Sequence, residues 1–372
     1  MKIVIVGGHL APALGVIDSL SSEDSVVFIG RKHALEGDKS LSLEYQEITK
    51  RNLPFHTLTA GRLQRTFSIQ TLPSLSRMPV GVFQALKYLR GVKPDVVLAF
   101  GGYLSVPVGF AAKLLSVPLV IHEQTLEAGL ANKLVARFAT KICISWENSR
   151  SFFPTEKVVL TGNPLKQFKS TNYQLPFSKA DEKLPLLYVT GGSTGSHVIN
   201  QLIEDSIGEL TKSFRVIHQT GSSEEFNDFE RLTTFRESMP RENKDRYDIH
   251  KYISSMHIGT IMKSVSIVLS RSGINTISEL IFFGKPALLI PLPHGQKGEQ
   301  LKNARFLEQL GLARVLLQQN ATSKIVSSTL LSMLTELETY QSAVGKAQAT
   351  LQADAAQKII DTLSYVVKKK SS

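Results

Sequence analysis

Residues 271–304, RSGINTISELIFFGKPALLIPLPHGQKGEQLKNA, decide the fold. The apolar run SIVLS at 266–270 leads into them and reads as a buried strand. A turn at Ser272-Gly273 follows, then a helical pattern with Glu279 in its early turns, then a second apolar run, ALLIPLP at 287–293. A strand–turn–helix of this kind aims unpaired backbone N–H groups at whatever sits above the sheet, which makes a ready anion site. A carboxylate one turn further on, Glu279, can accept hydrogen bonds from sugar hydroxyls. Phosphate and sugar together point to a nucleotide-sugar ligand.

An earlier segment repeats the pattern. LLYVT at 186–190 is a strand candidate that runs into Gly191-Gly192-Ser193-Thr194-Gly195-Ser196 and then a helical stretch at 197–212. Glycine lets a backbone approach a ligand closely, and Ser193 adds a hydroxyl. One glycine turn after a strand serves packing in many α/β proteins; two in one half-chain favour a phosphate-bearing ligand.

The chain has 372 residues, enough for two domains with full cores. Its single cysteine, Cys143, excludes an internal disulfide framework and reads as a small buried residue in the strand-like run KICIS. MKIVIVGGH reads as a first Rossmann-like strand and not as a signal peptide. The uncharged stretch 96–112 is broken by Gly101-Gly102 and Pro107, so a buried strand, a glycine turn and a packed helix explain it better than a membrane span. No cluster has metal-ligand spacing, and no metal or cofactor is expected.

Lysine and arginine number 43 against 32 acidic residues, a net +11. Residues 61–94 hold Arg62, Arg65, Arg77, Lys87, Arg90 and Lys93 and no acid, with Phe67, Ile69, Met78 and Phe83 among the apolar residues between them. Such a segment suits an anionic membrane surface. The plainer reading is a helix and loop whose apolar face is core and whose charges are solvated. Nucleic acid is disfavoured because the aromatics lack stacking-module spacing.

Strand and helix patterns alternate throughout, which predicts parallel sheets. Strands are expected at 2–6, 25–29, 95–99, 118–121, 141–145, 157–160, 186–190, 214–218, 265–269 and 287–291. The fold class is α/β, with two Rossmann-like domains. The expected division is 1–163 for the first domain and 164–349 for the second, with a last helix near 350–372 packing back on the first.

Several strings then fit one family in order over nearly the whole chain. They are Gly7-Gly8-His9 with Pro12, Gly101-Gly102-Tyr103, His122-Glu123-Gln124, Gly162-Asn163-Pro164, Gly191-Gly192-Ser193, His218-Gln219 with Gly221, Arg271-Ser272-Gly273, Ser278-Glu279, and Gln300 with Asn303-Ala304. The chain resembles glycosyltransferase family 28, the N-acetylglucosaminyltransferases that make lipid II in peptidoglycan synthesis. The resemblance implies a GT-B fold whose two domains face each other across a cleft. The second domain would take UDP-N-acetylglucosamine, and the first a polyprenyl-diphosphate-linked muramyl peptide. The enzyme would work peripherally at the cytoplasmic face of the membrane. It further implies substrate contacts from Gly8, Thr125, Lys166 and Ser193, from Tyr252 and Ile253 at uracil, from Ile274, Asn275, Thr276, Ile277, Ser278 and Glu279 around the ribose, and from Gln300 at the donor sugar. His9 is the first candidate for the base that deprotonates the acceptor hydroxyl, Glu123 the second; alternatively His9 caps a helix or orients phosphate, and Glu123 is structural.

Three departures from the family pattern lie among the N-terminal matches. The glycine loop after the first strand is shorter, Thr125 stands where asparagine is usual, and Lys166 stands where arginine is usual. They keep open a family member with another lipid-linked acceptor. A non-catalytic nucleotide-sugar scaffold and a sugar-nucleotide epimerase also fit the same residues.

Overall fold

In a computed structural model the chain is described at residues 1–33, 41–58, 78–165, 173–178, 181–293 and 298–371. It forms two compact units, Met1–Gln167 with Gln352–Ser372, and Phe168–Leu351. Each is built on its own parallel sheet, as the sequence pattern predicts.

The first unit has seven strands: β1 (Lys2–Val6), β2 (Ser25–Gly30), β3 (Phe55–Thr57), β4 (Val96–Ala99), β5 (Leu119–Glu123), β6 (Lys141–Ile144) and β7 (Val158–Leu160). Their order is β3-β2-β1-β4-β5-β6-β7. Helices cover both faces, so the central strands are apolar on both sides. In β1, Val4 and Val6 join a core with Val97, Ala99 and Ile121, while Ile3 and Ile5 join another with Phe28 and Leu98. Successive side chains point to opposite faces, and one five-residue strand serves both cores.

The last helix, Ala355–Ser371, belongs to this unit. Its Ile359, Ile360, Leu363 and Val366 fall at helical spacing and enter the core of Ile3, Ile5 and Phe28. The stretch 96–112 is β4, a turn with Gly101 and Gly102 at φ +77° and +73°, and helix Ser105–Leu114. Among the described residues no helix is long and apolar enough to cross a membrane.

The second unit has β8 (Leu186–Thr190), β9 (Arg215–Gln219), β10 (Tyr247–His250), β11 (Ile267–Ser270), β12 (Ala287–Leu289) and β13 (Ala313–Val315), in the order β10-β9-β8-β11-β12-β13. All their pairings are parallel. Three strands were not expected: β3, β10 and β13. Each lies at a sheet edge and has three or four residues (FHT, YDIH, ARV), too short and too polar to stand out as an apolar run.

Candidate functional site

Strand order reverses once in each sheet, between β1 and β4 and between β8 and β11. In open α/β sheets ligands bind beyond the strand ends at such a reversal. The glycine turns after β1, β4 and β8 and the Ser272-Gly273 turn after β11 lie there, while Gly162 follows β7 and Gly221 follows β9.

In the second unit the turn after β8 is drawn tightly onto the one after β9. A Cβ on Gly195 would sit 2.1 Å from the Thr220 carbonyl oxygen, and one on Gly221 would sit 2.1 Å from Gly195 Cα. Only glycine fits at either place. Ser222 and Ser223 donate their N–H groups to the Ser193 and Thr194 carbonyls at 3.0 and 3.1 Å. Ser193 is thereby fixed with its side chain exposed.

Gln219, which the sequence offered only as part of a family string, ties this turn to the segment expected to read a base. Its amide nitrogen donates to the Gly192 carbonyl at 3.1 Å and to Thr190 Oγ1 at 3.2 Å, and its amide oxygen accepts the Ile253 N–H at 3.0 Å. The Ile253 N–H is therefore engaged within the protein, and the backbone group left for a base at Ile253 is its carbonyl. Tyr252 beside it is 55% exposed.

Helix Ile274–Phe283 begins after β11 with Gly273 as its extended N-cap. Residues 274–279, expected around the ribose, divide between two faces of this helix. Ile274, Ile277 and Ser278 are buried, and the Ser278 hydroxyl donates back to the Ile274 carbonyl at 3.0 Å. Ser278 and Ile277 face the core because they follow Ile274 by four and three residues. Asn275, Thr276 and Glu279 are half-buried on the opposite side. Gln300, in helix Glu299–Gln309, accepts the Leu292 N–H on its side-chain oxygen at 3.0 Å. Only its amide NH2 could reach a sugar.

Arg271, which the sequence offered only as part of a family string and without a role, is a functional candidate. It is buried, and Nη1 donates to the carbonyls of Ile290 and Pro291 at 2.9 and 3.4 Å. Among the described residues no carboxylate pairs with it, and burial draws its pKa down to about 10. A buried cation without a counter-ion is costly unless an anion arrives.

In the first unit the turns after β1 and β4 touch through their backbones: a Cβ on Gly8 would lie 2.3 Å from the Gly101 carbonyl oxygen. His9 follows as the extended N-cap of helix Leu10–Ile17 and makes no capping bond with its side chain. Burial lowers its pKa, and the charge of Glu123 opposes that.

Glu123 ends β5 and is buried with both oxygens occupied. Oε1 accepts Thr125 N–H at 3.0 Å and faces Thr125 Oγ1 at 2.6 Å; Oε2 accepts Gly129 N–H at 2.8 Å and Asn132 Nδ2 at 3.0 Å. A carboxylate so engaged holds its own loop together and is poorly placed to take a substrate proton. Thr125 is also buried, its hydroxyl between Glu123 and the Glu127 carbonyl, so its side chain is committed inside the loop. Lys166 lies outside the described residues.

Each unit also buries one neutral histidine. His122 Nε2 meets the Gly162 carbonyl at 3.0 Å, and His218 lies between Tyr247 Oη at 2.8 Å and Asn200 Oδ1 at 3.0 Å. Burial is the main cause that pushes them down to about 4 and about 3. Unfolding returns both to about 6.5. The unfolded chain then binds protons that the native chain refuses, so stability is full above about pH 6.5 and falls as pH falls. A loss of about 2 kcal/mol per histidine is expected between pH 7 and pH 5. Urea midpoints at the two pH values check this, and His218→Gln should flatten the dependence of the second unit alone.

A model described as the glycosyltransferase family 28 C-terminal domain matches residues 186–362, and one described as the glycosyltransferase family 28 N-terminal domain matches residues 6–144. A Clostridium kluyveri protein named UDP-N-acetylglucosamine--N-acetylmuramyl-(pentapeptide) pyrophosphoryl-undecaprenol N-acetylglucosamine transferase is 31% identical over 97% of this chain and 98% of its own. The protein of the same name from Treponema denticola is 34% identical over 86% of this chain and 83% of its own. The crystal structure of Acinetobacter baumannii MurG shares the fold, with a TM-score of 0.73 over 98% of this chain and 100% of that one, at 24% identity.

Proposed function

The chain belongs to glycosyltransferase family 28, and on that premise we propose that it moves N-acetylglucosamine from UDP-N-acetylglucosamine to the C4 hydroxyl of a polyprenyl-diphosphate-linked N-acetylmuramoyl-pentapeptide, the lipid I to lipid II step of peptidoglycan synthesis. The observation that carries the donor half is the reversal point between β8 and β11, where a glycine turn presenting Ser193 accompanies the buried Arg271 cation, which has no carboxylate partner among the described residues. The leaving diphosphate is the anion that such a cation would neutralise.

Transfer inverts C1: the acceptor oxygen attacks from the face opposite UDP through an oxocarbenium-like transition state, and His9 takes the hydroxyl proton. Glu279 holds the ribose hydroxyls, and the Gln300 NH2 reaches the sugar. Glu123 positions the loop of Thr125 and tunes His9. UDP release from UDP-N-acetylglucosamine with and without a lipid I analogue tests this. Release that requires the analogue supports transfer; free sugar released without an acceptor would favour hydrolysis or epimerisation.

The acceptor's lipid places the enzyme at the cytoplasmic face of the membrane. The first unit supports peripheral docking with Val80, Phe83, Phe110, Leu114 and Leu134, all exposed, and an apolar cavity of about 290 Å³ edged by Phe110, Leu134 and Arg137. Lys87, Arg90, Lys113 and Lys133 lie on the same helices; Arg62, Arg65 and Arg77 fall outside the described residues. Phe83, at 71% exposure, is the best single anchor. Phe83→Ser is expected to weaken partition onto anionic vesicles about tenfold or more, and added salt should weaken what remains. Equal sedimentation of wild type and variant with vesicles would refute this docking face.

A further inference from the structure

The glycine turn after β1 already holds a carboxyl group, that of Glu44. Glu44 lies in the first turn of helix Leu43–Lys50, whose N-cap Ser42 accepts the Tyr45 N–H at 3.1 Å. Its side chain runs inward and the residue is 6% exposed. Oε2 accepts the Arg31 N–H at 3.2 Å, and the Gly8 N–H also acts on the carboxylate.

Two glycines, Gly7 and Gly30, make room for it, and a third closes the other side. A Cβ on Gly7 would lie 2.8 Å from Oε1, one on Gly30 would lie 3.2 Å from Oε2, and Gly8 is pressed against Gly101 on the far side of the turn. The space that a glycine turn offers to a ligand phosphate is thus filled from one side by a carboxylate and from the other by backbone. Burial raises the pKa of Glu44, while the two N–H groups and the Arg31 charge act against that.

We propose that the Glu44 carboxyl is a resident group that fills the β1 turn and closes it to phosphate, so that the acceptor's diphosphate is gripped by other groups of the first unit. N–H groups that serve the Glu44 carboxyl are not available to a phosphate, and the volume it fills leaves no room for one beside Gly7 and Gly30. The acceptor clause rests on the proposed transferase function; the occupancy of the turn does not.

Glu44→Ala vacates a carboxylate-sized hole faced by the Arg31 and Gly8 N–H groups. Formate at 100 mM, against the same concentration of chloride, is expected to raise the thermal midpoint of Glu44→Ala by about 4 °C. Wild type and Glu44→Gln, in which the turn stays filled, should move by less than about 1 °C. A wild-type response equal to that of Glu44→Ala, or no response from Glu44→Ala, overturns the occupancy.

Glu44→Gln covers the case in which the alanine variant does not fold. The acceptor KM of Glu44→Gln, measured with a lipid I analogue, is expected within about twofold of wild type. A fall of tenfold or more would show that removing the charge opened the diphosphate's own seat, and would overturn the proposal. Absence of transfer by the wild type would sink the acceptor assignment, while the formate experiment still judges the turn.

Discussion

Exchange of Arg271 for methionine is expected to lower kcat/KM at least about 100-fold while the thermal midpoint stays level or rises. The two halves of this expectation come from the same geometry. The guanidinium is buried, donates only to the Ile290 and Pro291 carbonyls, and meets no carboxylate among the described residues. Its pKa, drawn down to about 10 by burial, still leaves it charged at neutral pH. For stability alone an apolar side chain of similar volume is usually as good or better. A charge kept at such a cost, at the strand reversal, is explained by an anion that comes and goes. Removing one preorganised group from a developing negative charge typically lowers the rate by about 10²–10³-fold. Arg271→Lys should fall between, since lysine keeps the charge but not the planar fork. Steady-state kinetics with a lipid I analogue and scanning calorimetry decide the matter. A midpoint several degrees lower with near-normal turnover would make Arg271 a structural residue.

The central strands and both reversal points were legible in the sequence because buried parallel strands are continuous apolar runs that end in glycine turns, as LLYVT and SIVLS do. Three of the four edge strands were not, since one flank faces solvent and FHT or ARV carries too little apolar signal. Motif strings located the site better than they assigned its roles. Ile277 and Ser278 sit inside a matching string, yet helical periodicity turns them into the core. Glu123 matches as well, but its oxygens are taken up by Thr125, Gly129 and Asn132. Gln219, Arg271 and Glu44 act through partners distant in sequence, at separations of 19 to 36 residues for Arg271–Ile290, Gln219–Ile253 and Glu44–Gly8. No local pattern shows such pairings; only the pairing of β1 with β2, of β9 with β10 and of β11 with β12 brings them together.

His9→Ala is expected to reduce kcat by about 10²–10⁴-fold with the KM for UDP-N-acetylglucosamine little changed. His9 is the residue at which helix Leu10–Ile17 begins, yet the helix makes no use of its side chain. Burial lowers its pKa, so the ring is neutral and able to accept a proton at pH 7. Turnover should therefore fall on the acid side only below the ordinary histidine value of about 6.5, and His9→Ala should lose that limb and keep a flat residual rate. Glu123 supplies a second check, because its charge is the influence that raises the pKa of His9. In Glu123→Gln the imidazolium loses that support, and the acid limb should move to lower pH. The same change sets an amide NH2 among groups that now donate to the carboxylate, Gly129 N–H and Asn132 Nδ2 among them, so the first unit should also lose stability. A purely structural Glu123 would lower the midpoint without moving the pH profile. A shifted limb in Glu123→Gln together with no limb in His9→Ala would identify His9 as the base; an unshifted limb that survives both substitutions would place the base elsewhere.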